Sequence, residues 1–194
     1  MSSDSRSRIL AEAERLFGQQ GFAGTRLSSI ASAAGLGNAG LIHHFPSKAA
    51  LYKAVLLDIA ADLDSHYTAE DGIDNPVAKL EELVEGMLTM YRERPNGMAI
   101  IAHEFLDQSG RIEEAEILPL AGIVEDTITI LKAGQAAGAI RQGDPVPMTA
   151  ALHGAIIIGC LGRTIYGRTG GENASENWGA ELANSALASV ILSS

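Results

Sequence analysis

The sequence predicts an all-α protein: an N-terminal three-helix head with a helix-turn-helix, then a C-terminal helical bundle, with about nine helices in total. Apolar residues recur at i, i+3, i+4 and i+7 along most of the chain, the spacing of one buried helix face. Glycine and proline separate these stretches. No segment alternates convincingly with period two. Residues 156–158 could form a buried strand, but they continue a helical pattern, which favours a helix.

The first helix is indicated by four apolar residues on one face: Ile9, Ala13, Leu16 and Phe17. Gly18 and Gly21 are expected to end it. Gly21 suits a left-handed cap, which glycine adopts without a steric penalty.

The second helix has Thr25 as its expected N-cap. Its inward residues again share one face: Leu27, Ile30, Ala31 and Ala34. Gly35 is expected to end the helix and to supply a positive φ for a tight turn, and Leu36 is expected to enter the core of the head.

A short third helix is predicted over residues 38–44, with Leu41 and Phe45 turned inward. Two short helices joined by a glycine turn form a helix-turn-helix, whose second helix is carried into the DNA major groove. The sequence therefore points to DNA binding.

The remaining helices follow the same periodicity. Ser47 is expected to cap a connecting fourth helix at about 48–66, with an inward stripe of Tyr52, Val55, Leu56, Ile59 and Leu63. Pro76 opens a fifth helix, whose inward residues are Leu80, Leu83, Val84, Met87 and Tyr91. Further helices are expected over 98–107, 112–137 (kinked or restarted at Pro119), 148–166 and 175–192.

The charge is distributed unevenly along the chain. The net charge is −10, which at first argues against DNA as a partner. Residues 1–53, however, hold six basic and three acidic side chains, whereas the remainder holds eight and 21. A basic head on an acidic body can present its positive face to phosphates while the body is repelled.

The sequence contains no feature of export or membrane insertion. The N-terminus is polar and lacks the apolar core of a signal peptide, and no apolar run approaches the roughly 20 residues of a membrane span. Cys160 is the single cysteine, so a disulfide within the chain is impossible. We expect a cytoplasmic protein without a membrane partner.

The first 55 residues resemble the N-terminal signature of TetR-type transcriptional repressors. The matching residues are Ile9, Ala13, Leu16, Phe17, Gly21, Phe22, Thr25, Ile30, Ala31, Ala34, Gly35, Leu41, Phe45, Ser47, Lys48 and Leu51. The resemblance implies a DNA-binding domain at 1–50 and a ligand-binding and dimerisation domain at 51–194. It also implies a homodimer on a palindromic double-stranded operator, released from DNA by a small-molecule effector.

Candidate base contacts lie on the outward side of the third helix: Gly37, Asn38, Ala39, Gly40, His43 and His44. Asn38 can pair bidentately with adenine, although it could instead cap the helix. Of the two histidines, one is expected to bond a phosphate and the other to pack beneath the helix. No further metal ligand stands near them in the head, so no metal site is predicted.

Candidate phosphate contacts are Thr25, Arg26 and Ser28 at the start of the second helix and Lys48 at the start of the fourth. The chain departs from the family pattern at Gly37, Ala39 and Ile42. Relatives often have a DNA-contacting tyrosine at the position of Ile42. Because Ile42 cannot donate to a phosphate, it either touches a sugar or methyl group or is partly buried.

The body offers candidates for an effector pocket, which in helical bundles is mostly apolar with a few polar groups. These are Met87, Tyr91, Met98, His103, Phe105, Asp107, Ile128, His153, Ile157 and Tyr166. His103 and Asp107 share a helix face and form either a ligand-binding pair or a surface hydrogen bond. His153 is either a pocket residue or a hydrogen-bonded interior histidine. An uncharged, largely apolar effector is expected.

The last two helices are rich in alanine and glycine, which permit close helix packing within one chain or between two copies. The resemblance favours a homodimer through these helices. An enzyme or metal carrier using His103, Glu104, Asp107 and His153 is one alternative, and an adaptor that has lost DNA binding is another. No nucleophile–base pair, phosphate loop or full metal motif is present, so neither a catalytic residue nor a cofactor is predicted.

Overall fold

The computed structural model describes residues 2–66, 73–106, 121–162 and 178–192, without the side chains of residues 2 and 3. The described residues form nine helices, which confirms the all-α prediction: α1 Ser2–Gly24, α2 Leu27–Ala33, α3 Asn38–His44, α4 Lys48–Ser65, α5 Pro76–Glu93, α6 Pro95–Leu106, α7 Ala121–Ala136, α8 Pro145–Leu161 and α9 Trp178–Val190. Extended pairing within these ranges is limited to one antiparallel bridge between Ile140 and Ile191.

Helix packing divides the chain into two compact units. The first comprises residues 1–62 and 94–120, and the second comprises 63–93 and 121–194. Helix α6 therefore packs with the N-terminal helices although it is distant in sequence. This is a division by packing, and the functional boundary at residue 50 stays a prediction.

Helix α1 is longer than the sequence suggested. Its four predicted inward residues are all buried, but Gly18 does not end it. Gly18 instead permits a close approach of α6, because a Cβ atom there would lie 2.8 Å from the carbonyl oxygen of Asn96. The break falls at Gly21, whose φ of 69° is left-handed as predicted, and helical structure continues to Gly24.

Helix α4 follows the sequence prediction closely. The hydroxyl of Ser47 accepts a hydrogen bond from the backbone N–H of Ala50 at 3.1 Å, as expected of a cap. All five residues of the predicted inward stripe are buried. Helix α6 begins at Pro95, three residues before the predicted start at residue 98, so only Arg94 separates it from α5.

The second unit is built from α5, α7, α8 and α9. Asp144 caps α8 by accepting a bond from Val146 N–H at 2.9 Å, so this helix begins at Pro145 rather than at residue 148. Helices α8 and α9 meet at two glycines, because a Cβ on Gly159 would lie 3.2 Å from the Cα of Gly179. Parts of the predicted helices 112–137, 148–166 and 175–192, namely residues 112–120, 163–166 and 175–177, lie outside the described residues. Within the described ranges, no helix has the length and apolar character to cross a bilayer.

Candidate nucleic-acid interface

The turn between α2 and α3 is fixed by backbone hydrogen bonds. The N–H of Gly35 bonds to the carbonyl of Ser32 at 3.1 Å, and that of Leu36 to the carbonyl of Ala31 at 2.8 Å. These two bonds, with Gly35 at φ 70°, form a Schellman motif, which glycine favours because it lacks a Cβ. Leu36 is half-buried rather than in the core.

Helix α3 is anchored from one side only. Leu41 and Phe45 are buried as predicted, while Asn38, Ala39, Ile42 and His43 are exposed. Gly37 occupies the N-cap position. Asn38 is therefore the first helical residue, and its alternative role as the cap is wrong.

Thr25 has a structural role instead of the two predicted for it. Arg26, not Thr25, is the N-cap of α2. The Thr25 side chain is 1% exposed, and its hydroxyl lies 2.8 Å from the carbonyl oxygen of Gly21 and 3.1 Å from that of Leu16. Because this hydroxyl bonds inside the head, it is removed from the set of phosphate donors.

Replacement of the buried hydroxyl tests this role. We expect Thr25→Val to lower the free energy of unfolding by about 1–2 kcal/mol, because the carbonyls of Leu16 and Gly21 lose the hydroxyl as a donor. Ser28→Ala, at an exposed position of α2, should change it by less than about 0.5 kcal/mol. Urea titration of both variants measures the difference, and equal losses would contradict the assignment.

Lys48 is also engaged within the head. Its Nζ donates to the carbonyl of Thr25 at 2.8 Å and lies 4.4 Å from the centre of the Phe22 ring. The side chain is half-buried, so it ties the start of α4 to the segment before α2. The predicted phosphate contact by Lys48 stays untested and would compete with these bonds.

A surface depression of about 580 Å³ joins α2, α3 and the start of α4. It brings together five of the predicted DNA-contacting residues, and it is lined by Ala23, Thr25, Arg26, Leu27, Ser28, Asn38, Ile42 and Lys48. Arg26 and Ser28 are exposed and can reach a ligand. Sequence reasoning left the role of Ile42 open. Its place four residues after Asn38 was the available signal, because that spacing puts both on one helix face.

The other predicted contacts lie at the N-cap of α3 or on α3 itself, outside the lining of this depression: Gly37, Ala39, Gly40, His43 and His44. The rings of His43 and His44 stand 5.6 Å apart, His43 being exposed and His44 half-buried. The described part of the chain holds no group of three or more His, Cys, Asp or Glu residues that could bind a metal.

The predicted effector-pocket residues are divided between the two units. Met98 and His103 belong to the first unit, whereas Met87, Tyr91, Ile128, His153 and Ile157 belong to the second. Phe105 is 46% exposed, and its assignment to an effector pocket stays a prediction. Asp107 and Tyr166 lie outside the described residues, so the His103–Asp107 pair remains a prediction.

His153 is a buried, hydrogen-bonded histidine. Its Nε2 lies 3.0 Å from the hydroxyl of Thr127, which itself donates to the carbonyl of Ile123 at 2.7 Å. The hydroxyl proton is thus committed, so Nε2 carries the proton of a neutral ring. Desolvation by burial lowers the pKa of His153 to about 4.

The thiol of Cys160 is also buried, and desolvation raises its pKa to about 12, so it is not a reactive cysteine.

Comparison with known proteins agrees with this architecture. Residues 9–55 match the family described as bacterial regulatory proteins, tetR family. The chain is 29% identical over 143 residues to the HTH-type transcriptional regulator RutR of Escherichia coli (strain K12), covering 74% of this chain and 68% of RutR.

The fold of this chain is similar to that of HlyIIR, a hemolysin II transcriptional regulator, with a TM-score of 0.79, 20% identity and all of both chains covered. It is also similar to AibR, solved in complex with isovaleryl coenzyme A and operator DNA, with a TM-score of 0.72, 22% identity and 96% and 98% of the two chains covered. The chain belongs to the TetR family of DNA-binding transcriptional regulators.

Proposed function

We propose that this protein is a dimeric repressor that binds a palindromic operator through α3 and leaves DNA when a small, largely apolar effector binds its body. The observation that carries this proposal is the exposed side of α3, formed by Asn38, Ala39, Ile42 and His43, together with the exposed Arg26 and Ser28 of α2. TetR-family transcriptional regulators are not enzymes, so the enzyme alternative is set aside.

The chemistry of the depression suits the edge of a duplex. Asn38 offers an amide that can bond N6 and N7 of adenine in the major groove. Arg26 and Ser28 offer donors to backbone phosphates, which fix register without reading sequence. We assign base reading to Asn38 and phosphate contact to Arg26 and Ser28.

The dimer is proposed to form through α8 and α9. Helix α8 leaves an outward stripe of small and apolar residues at spacings of three and four: Pro147, Ala151, Gly154, Ile158 and Leu161. Ile158 and Leu161 are 47% and 42% exposed in the isolated chain. Such a stripe is costly in water and allows a second helix to approach closely, as a two-fold interface requires.

The effector is proposed to bind among the body helices. AibR was solved with isovaleryl coenzyme A, and that ligand belongs to AibR alone. For this chain we propose two alternative anchors, each a polar group placed among apolar residues: His103 in the first unit, or His153 in the second. We also propose that the protein acts in the cytoplasm.

Selection of duplexes from a random pool tests the DNA-binding proposal. The purified protein is incubated with the pool at low salt, and bound duplexes are sequenced. Enrichment of a palindrome would support a dimer with two heads in successive major grooves. No enrichment would contradict the proposal and would favour an adaptor that kept the fold.

Asn38→Ala should relax the sequence preference at one base pair of each half-site, at a cost of about 1–3 kcal/mol per half-site on the selected duplex. Arg26→Ala is the control: it should weaken all duplexes alike and reduce the salt dependence, because a phosphate contact releases counterions. Fluorescence anisotropy with the selected duplex and single-base variants measures both effects. An unchanged preference in Asn38→Ala would exclude base reading by that residue.

A further inference from the structure

We propose that Ile42 is a specificity-determining residue that reads the 5-methyl group of one thymine in each half-site. The inference rests on the proposed DNA-binding function and names a part of the operator. The proposed contact of Ile42 is apolar and is made to a base, not to the sugar–phosphate backbone of the DNA.

Ile42 is not needed for the fold of the head. Its side chain is 48% exposed, whereas the neighbouring Leu41 is fully buried and Phe45 is 5% exposed. Leu41 and Phe45 therefore anchor α3 to the core. A large apolar side chain left in water on a seven-residue helix is available for a ligand.

The position of Ile42 sets the kind of contact it can make. Ile42 lines the same depression as Arg26 and Ser28 of α2. Asn38, which lies one helical turn before Ile42 on α3, also lines it. Phosphate donors at α2 and a base reader on α3 would place Ile42 over the edge of the neighbouring base pairs. Isoleucine has no polar atom, so it can recognise only an apolar group there.

Thymine supplies the apolar group of an unmodified major groove, its 5-methyl. A β-branched side chain in a helix is held in one strongly preferred χ1 rotamer, so little rotamer freedom is lost on contact. A sugar contact would be equally apolar but would give no base preference. Removal of the thymine methyl group therefore distinguishes a contact with the base from a contact with the sugar.

The test uses the palindrome enriched from the random pool, resynthesised with deoxyuridine in place of one thymine per half-site in turn. Uracil differs from thymine only by the missing methyl group. Dissociation constants are measured by anisotropy for the wild type, Ile42→Ala, Ile42→Val and Leu57→Ala. Leu57 is the matched control because it is 50% exposed on α4 of the same unit and does not line the depression.

We expect one thymine position at which deoxyuridine weakens wild-type binding about three- to fivefold per half-site, the effect of one buried methyl-sized group. Ile42→Ala should weaken the thymine duplex by a similar factor and remove the deoxyuridine penalty at that position. Ile42→Val should keep part of the penalty, and Leu57→Ala should keep all of it. The loss in Ile42→Ala should not change with salt concentration, because no phosphate contact is lost.

An equal deoxyuridine penalty in the wild type and in Ile42→Ala would overturn the proposal, as would the absence of any penalised thymine. Both results are obtained on a duplex that the wild type binds. They are therefore distinct from a failure of the DNA-binding proposal, in which no palindrome is enriched.

Discussion

Acidification from pH 6.5 to pH 4 is expected to cost the folded protein about 3 kcal/mol through His153 alone. The ring is 2% exposed, and desolvation lowers its pKa from 6.5 to about 4. Thr127 accepts from its Nε2–H, a bond that is satisfied in the neutral form.

The sign follows from proton binding in the two states. Above pH 6.5 the imidazole is neutral in both the folded and unfolded chains, so it adds no pH dependence. Between pH 6.5 and about 4 the unfolded chain binds a proton that the folded chain excludes, and stability falls as pH falls. Below about pH 4 both states are protonated and the loss reaches its limit.

Urea unfolding of the wild type and of His153→Gln, at one fixed protein concentration and several pH values, measures this loss. The difference in the free energy of unfolding between the two proteins should change by about 3 kcal/mol between pH 6.5 and pH 4. All other titrating groups are present in both proteins, so their contributions cancel in this difference. His43→Gln, at an exposed site on α3, is the control for the loss of a histidine as such. Parallel curves for the wild type and His153→Gln would refute the assignment.

Loss of the Arg94 side chain is expected to be the other large effect. The Nη2 atom of Arg94 lies 2.6 Å from a carboxylate oxygen of Glu14 and 3.0 Å from one of Asp58, and Nη1 lies 3.2 Å from Asp62. Burial disfavours the charge of Arg94, but its hydrogen bond and charge interaction with Glu14, then its bonds to Asp62 and Asp58, outweigh burial and raise its pKa. The guanidinium thus joins α1, α4 and the start of α6.

Arg94→Met should lower the free energy of unfolding by about 2–3 kcal/mol, because Glu14 keeps a partly buried charge without its cation. The exposed Asp58 should contribute little of this loss. Arg92→Met is the matched control. Arg92 also binds a carboxylate, that of Glu85 at 2.6 Å, but both side chains are more than half exposed, so its loss should cost about 0.2–1 kcal/mol.

Urea titrations of the two arginine variants give the comparison directly. A larger loss in Arg94→Met would show that burial, and not the formation of an ion pair as such, determines the contribution. Equal losses would contradict the proposed role of the Arg94 network in holding three helices together.

The sequence by itself determined the all-α class, the helix-turn-helix and the family. These follow from local rules: the 3.6-residue period marks a buried face, and glycine marks positive φ at Gly21 and Gly35. The bounds of α3 and the buried stripe of α4 were also predictable, since each depends on a face and a cap within one segment.

Only the tertiary structure decided the roles of residues whose partners are distant in the chain. The sequence predicted only a chain break at Arg94, whereas two of its three carboxylate partners, Glu14 and Asp58, stand 80 and 36 residues away. The sequence predicted a helix terminus at Gly18, whereas in the structure α6 packs against this residue. Thr25 read as a phosphate donor until its hydroxyl proved to be buried, and Ile42 was ambiguous until its exposure was known. Local patterns report which face a residue occupies, whereas the partner on that face depends on how the helices pack.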